Sequence, residues 1–265
     1  MTKRETRVAA GRQRSIAQPD SWTGLRELTP ARLALGRTGA SLPTQEVLQF
    51  GWDHAQARDA VQLRLDVEEL ERALSALGLQ TLHVTSQVSD RATYLMRPDL
   101  GRRLVDERAK ELQLAAGGGC DLALVAADGL SSLAVQRHAA PVIEAIVREA
   151  PADWRISPVV IASGARVALG DEIGERLGAR MVAILIGERP GLSSPDSLGI
   201  YLTWAPRVGR LDAERNCISN IRPEGLGYTQ AARKLVWLCR QAQLMKLTGV
   251  ALKDRSDLVD VAEGR

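Results

Sequence analysis

Six consecutive apolar residues, Met181 to Ile186, stand between Arg180 and Gly187. A run that short does not make an ordinary helix, and with no polar alternation it reads as a strand buried on both faces. Two runs of the same kind precede it, "DLALVAADG" from Asp121 and "ISPVVIASG" from Ile156. Helical patterns separate the three, "LSSLAVQRHAAPVIEAIVREA" and "ARVALGDEIGERLG", and "LGIYLTW" follows as a fourth strand. Strand and helix alternating at this spacing predict an α/β fold, with a Rossmann-like or flavodoxin-like parallel sheet over residues 117–265. The closing "YTQAARKLVWLCRQAQLMKLTG" carries Ala231, Leu235, Leu238, Ala242 and Met245 as one apolar helical stripe.

The preceding part has a different texture. Residues 21–116 read as a helical region: "TPARLALGR" with Thr29 as cap and Pro30 at the first helical position, "TQEVLQFGWDHAQARDAVQLRL", "DVEELERALSALG" ending at Gly78, and "RPDLGRRLVDERAKELQLAAGGG" leading into a glycine hinge. Residues 1–20 carry five basic side chains against two acidic ones and few large apolar groups, which predicts a flexible basic arm.

At 265 residues the chain can bury a sizeable core. No stretch has the length of a membrane span, and the first residues lack the apolar middle of a secretory signal, so an intracellular protein is expected. Cys120, Cys217 and Cys239 are few, odd in number and far apart, which predicts reduced thiols. A net charge of +3, with one Phe and three Tyr in the chain, argues against nucleic-acid binding.

Short ligand fingerprints are missing. "GGGCDL" precedes its strand and lacks a third glycine, and no G-x-x-x-x-G-K-[ST] occurs. His54, His83 and His138 lie in separate segments without metal-ligand spacing and read as surface or packing residues. What remains are glycine-rich polar loops at three strand ends, "AADGLSS" from Ala126, "ASGARVALGDEIGE" from Ala162 and "GERPGLSSPDSLG" from Gly187. In a parallel sheet they converge on one edge. "GRLDAERNCISNIRPEG" from Gly209 adds an irregular, polar stretch. Such a surface suits a large polar cofactor or a partner protein.

The uninterrupted stretch "ARVALGDEIGERLGARMVAILIGERPGLSSPDSLGIYLTWAPRVGRLDAERNCISNIRPEGLGY", with "LVAADGLS" before it and "LTGVALKD" after it, resembles the light chain of ethanolamine ammonia-lyase. The resemblance runs from about Leu25 to Asp254 and leaves out the first twenty or so residues. It implies the small subunit of an adenosylcobalamin-dependent carbon–nitrogen lyase that converts ethanolamine to acetaldehyde and ammonia by a radical route. It also implies a TIM-barrel heavy chain that carries substrate and catalytic groups, a hexamer of heavy–light pairs, and cobalamin held between the two chains. The family's light-chain cofactor contacts fall on Val167, Glu188 and Cys217, with no catalytic or metal-ligating residue in this chain.

On the residues alone, Val167 stands where a strand-end loop enters a helix, Glu188 reads as a solvated loop acid, and Cys217 as a small packing group rather than a reactive thiol. No D-x-H-x-x-G motif occurs, so the cofactor is expected to keep its own benzimidazole as lower ligand. The resemblance places the chain in the bacterial cytoplasm, in some members inside an ethanolamine-utilisation microcompartment. The N-terminal tail here has only Val8 and Ile16 as large apolar residues, a weak packaging signal. The competing reading from another class is a non-catalytic α/β ligand-binding or structural regulatory subunit.

Overall fold

The three apolar runs form the centre of a six-stranded sheet. The computed structural model describes residues 16–115 and 117–257, so most of the expected basic arm lies outside the described residues. Strands β1 (Thr81–Thr85), β2 (Cys120–Ala127), β3 (Val159–Ser163), β4 (Ala179–Gly187), β5 (Leu198–Trp204) and β6 (Arg215–Ile221) lie in the order β1-β3-β2-β4-β5-β6. β3, β2 and β4 are parallel, as the strand–helix alternation predicts, and β1 joins them in the same direction. The remainder departs from it: β5 is antiparallel to β4 and β6 antiparallel to β5. The segment around Cys217, expected to be irregular, is therefore a strand.

Helices cover both faces. α5 (Ser132–Glu149) and α7 (Tyr228–Met245) pack with α2 (Val67–Ala76) on Leu122, Leu124, Ile161, Leu185 and Ile200. α6 (Leu169–Arg176), with Leu112 of α4 (Asp106–Ala115), covers Ala123, Val125, Val160, Val182 and Ile184 on the opposite face. Side chains alternate along a strand, so β2 to β4 must be apolar throughout to serve both layers. Of the predicted α7 stripe, Ala231, Leu235, Leu238 and Ala242 are buried, whereas Met245 is half exposed at the helix end.

The region 21–116 needs three corrections. It contains a strand, β1, which adds to β3 at the sheet edge. "TLHVT" is short and mixes polar with apolar residues, so its period could not separate it from its helical surroundings. The Thr29–Pro30 segment is not a helix: Thr29 Oγ1 accepts from Ala31 N at 3.2 Å in a turn, and Ala34 has a left-handed φ of +49°. Where the pattern is strongly amphipathic the helix forms, as in α2, whose Asp66 cap accepts from Glu69 N at 2.9 Å and whose end is followed by Gly78 at φ +76°. The described part of 97–119 is a helix only from Asp106, after a short 3-10 turn at Leu100–Arg102.

The chain divides into two compact units, 1–55 and 56–265, with the boundary inside α1 (Thr44–Gln62). Within the first, Arg26 pairs with Glu46 at 3.0 Å and Arg32 with Asp53 at 2.8 Å. The sheet and its helices belong to the second.

Candidate functional site

The connections after β2 and β3 set the geometry of the loop edge. The first leads to α5 on one face of the sheet, the second to α6 on the other. Asp128, just beyond β2, ties these diverging loops together: one carboxylate oxygen accepts from Gly129 N and Ala165 N, both at 2.9 Å, and the other from Gly164 N at 2.7 Å. Burial pushes its pKa up, against the pull of those amides. Gly129 is at φ +59°, and a Cβ there would collide with the Gly187 carbonyl; one on Gly187 would collide with the Ser131 carbonyl. The β2 and β4 loops can touch only because both residues are glycine.

On the α6 side of this edge lies a cavity of about 450 Å³. Val167 and Glu188 both line it, joined by Gly129, Arg166, Tyr201 and Ser219. Cys217 is not in its wall. It is exposed on β6, in register with Tyr201, and its thiol bonds the Tyr201 side chain. Its flank against the sheet is still covered enough that desolvation raises the thiol pKa, with the Tyr201 bond working the other way. The packing role expected for it is thus replaced by a surface position beside the cavity.

Glu188 does more than the solvated acid of the bare sequence. Ser219 and Asn220 together oppose the single Gly199 between the Ile200–Ile218 and Leu198–Ile221 pairs, a β-bulge, with Asn220 at a left-handed φ of +58°. The Glu188 carboxylate caps it, accepting from Ser219 Oγ at 2.5 Å and Asn220 N at 3.2 Å, and it also accepts from Ser197 Oγ. A Cβ on Gly199 would come within 2.8 Å of Glu188 Oε1, so the missing side chain is what lets the carboxylate lie across β5.

The sequence alone does not mark Arg166. Its guanidinium stacks on Tyr94, 4.1 Å from the ring centroid, and Nη2 donates to Tyr94 O at 2.9 Å, while the buried Nε has no partner. Arg91 lies over the same ring at 4.6 Å. Tyr94 in turn donates to Ala165 O at 3.1 Å, and burial lifts its phenol to about 12. The available signal was a lone arginine at a strand-to-helix loop in "GARVALG", too common a pattern to act on. Farther away, Asp171 of α6 pairs with Arg215 of β6, both side chains buried, which fixes the strand bearing Cys217 and Ser219 against the helix that follows Val167.

The ethanolamine ammonia-lyase light chain (EutC) family model matches residues 19–253. The chain belongs to that family. It is 56% identical over 249 residues to the ethanolamine ammonia-lyase small subunit of Azotobacter vinelandii, covering 92% of each chain. It is 57% identical over 242 residues to that of Xanthomonas campestris pv. campestris, covering 90% of this chain and 89% of the relative. To that of Pseudomonas syringae pv. tomato it is 55% identical over 250 residues, covering 93% and 87%. The match to the light-chain family spans both compact units and every strand of the sheet.

Proposed function

We propose that this light-chain family member is the small subunit of an adenosylcobalamin-dependent ethanolamine ammonia-lyase and that its loop edge forms one wall of the cofactor site, facing a heavy chain. The observation that carries the cofactor part is Arg166, which lines the cavity beside Val167 and Glu188 and leaves one guanidinium donor, the buried Nε, without a partner. A buried guanidinium donor left unpaired is costly, and an acceptor from outside the chain relieves it. Cobalamin offers such acceptors in its carboxamides and phosphate, so the residues fit the group.

The remaining walls suit the same ligand. Glu188 has accepted three hydrogen bonds and keeps capacity for about one more donor, such as a carboxamide N–H. Gly129 brings backbone to the surface, and Leu130, Ile186 and Val167 supply apolar area that excludes water. At about 450 Å³ the cavity holds only part of a corrinoid, which supports a second wall from a partner. When bound, adenosylcobalamin supplies homolysis of its cobalt–carbon bond, the source of the radical that starts ammonia loss. This chain's residues bind, orient and shield; substrate groups are assigned to a TIM-barrel heavy chain, in a hexamer of heavy–light pairs. The site of action is the bacterial cytoplasm, including the interior of an ethanolamine-utilisation microcompartment where the host builds one.

The test is a cyanocobalamin titration of the assembled complex followed by absorbance. Arg166→Met should weaken binding by roughly tenfold or more, the worth of a charge-assisted hydrogen bond, while ethanolamine KM at saturating cofactor stays put. Unchanged cobalamin affinity in an intact complex would remove Arg166 from the site.

A further inference from the structure

A second cavity, of about 250 Å³, opens on the same strand ends but between β2 and β3, bounded by Thr85, Ser163, Gly164 and Asp128 below and by Leu63, Arg64, Leu65 and Val88 around the rim. Loops of neighbouring strands leave toward opposite faces there, and that is where open α/β sheets hold ligands. Ser132, the first residue of the 18-residue α5, lines it and is only 1% exposed, and its buried hydroxyl has no hydrogen-bond partner. Buried hydroxyls in folded proteins are rarely left unpaired.

The free hydrogen-bonding capacity defines what would fit. Arg91 spends its guanidinium on the carbonyls of Val61, Gly129 and Leu130, and Asp90 caps α3 (Arg91–Met96) through Thr93 N. Asp128 keeps about one lone-pair position after its three amides. Arg64, at the rim, makes no ion pair or hydrogen bond among the described residues. The cavity therefore has an unpaired cation at its mouth, a hydroxyl and a residual carboxylate position at its floor, and Leu63, Leu65, Val88 and Tyr94 as apolar sides.

We propose that this crevice binds a small organic acid that carries a hydroxyl on its carbon chain. The carboxylate meets Arg64 and the positive end of α5, the hydroxyl donates to Asp128 and accepts from Ser132, and the hydrocarbon body lies against the leucines. A space of this volume equals roughly eight waters, which sets the ligand at about five to ten non-hydrogen atoms. Water alone fits poorly, since most of the wall cannot hydrogen-bond to it.

The experiment is calorimetric and thermal-shift titration of the full-length chain with 3-hydroxybutyrate, L-lactate and glycolate, with butyrate and 1,3-butanediol as controls that lack one of the two groups. At least one hydroxy acid should bind with a millimolar or tighter constant and both controls more weakly. Arg64→Gln should weaken it by roughly tenfold. Ser132→Ala should weaken it several-fold yet leave the ligand-free melting temperature unchanged or higher, because the hydroxyl it removes is unpaired. The proposal is overturned if none of the three acids binds at concentrations of about 10 mM, or if both variants bind as the parent does. It is also overturned if Ser132→Ala lowers the ligand-free melting temperature, which would show a hydroxyl already satisfied by water.

Discussion

Glu188 fastens two elements together through one carboxylate and also lines the cavity beside them. Its carboxylate accepts from Ser197, Ser219 and Asn220 N, so it fastens the loop after β4 to a bulge in β6. Glu188→Gln keeps one acceptor oxygen and turns the other into a donor facing Ser197 or Ser219, both of which can rotate to accept. Stability should fall little, and cobalamin affinity of the assembled complex by roughly fivefold if the remaining lone pair meets a carboxamide. Glu188→Ala frees the bulge, with about 2 kcal/mol of stability lost in denaturant melts, because hydrogen bonds to a charged group are lost while both hydroxyls can still reach water. Equal cofactor affinity in parent, Gln and Ala complexes would leave Glu188 a bulge cap with no ligand role. Its residues alone mark Glu188 only as the first charge after a strand, and the family resemblance adds a cofactor contact; its hydrogen-bond partners lie nine, 31 and 32 residues downstream and become visible only once β5 and β6 fold back.

Among elements, the contact between α5 and the loop after β4 carries a titratable group. His138 of α5 is buried, with Nδ1 2.8 Å from Tyr228 Oη of α7 and Nε2 3.3 Å from Asp196 in the loop; Arg137 also binds Asp196, and Glu224 adds a more distant negative charge. Burial holds the His138 pKa below its ordinary 6.5, outweighing the pull of Asp196. As pH falls through 6.5 the unfolded chain therefore takes up the proton first, and the folded state loses stability until its own lower pKa is passed. Above 6.5 this contribution is intact. Asp196 is itself partly desolvated, but Arg137 and His138 keep its pKa below 3.8, so its contribution is present above that value and lost only in stronger acid. Chemical unfolding between about pH 7 and pH 5 should show stability falling with acidification in the parent chain and a flatter profile in His138→Gln. Parallel profiles would assign the slope to another group. These contacts also mark what the sequence could and could not disclose. Long apolar runs declared β2, β3 and β4, and periodicity declared α2, α5 and α7, because buried elements must be apolar. The edge strands β1 and β6, half polar and paired on one side only, carry no such constraint. The direction of β5 depends on a loop that nothing local specifies.

For the whole molecule, the question is what a light chain contributes that its partner lacks. The loop edge offers backbone at glycines, a spare guanidinium donor at Arg166 and hydroxyls at Ser219 and Tyr201 around a cavity of about 450 Å³. That is equipment for holding part of a large polar group, and its worth depends on what closes the other side. If the cofactor lies between two chains, each alone offers half of the contacts, and ordering a large ligand on half a site recovers too little free energy to bind it tightly. Cobalamin affinity should then be weak for either purified chain and stronger for the mixture by far more than the sum of the two. Ethanolamine deamination should follow the same rule: absent for this chain, absent or marginal for the heavy chain, and restored on mixing with adenosylcobalamin. The regulatory-subunit reading makes a different forecast, since a heavy chain that needs only tuning would bind cobalamin and turn over by itself. Reconstitution with each chain titrated against a fixed amount of the other decides between them. Turnover saturating at equal amounts of the two chains supports a shared site, and full turnover by the heavy chain before any light chain is added sinks it.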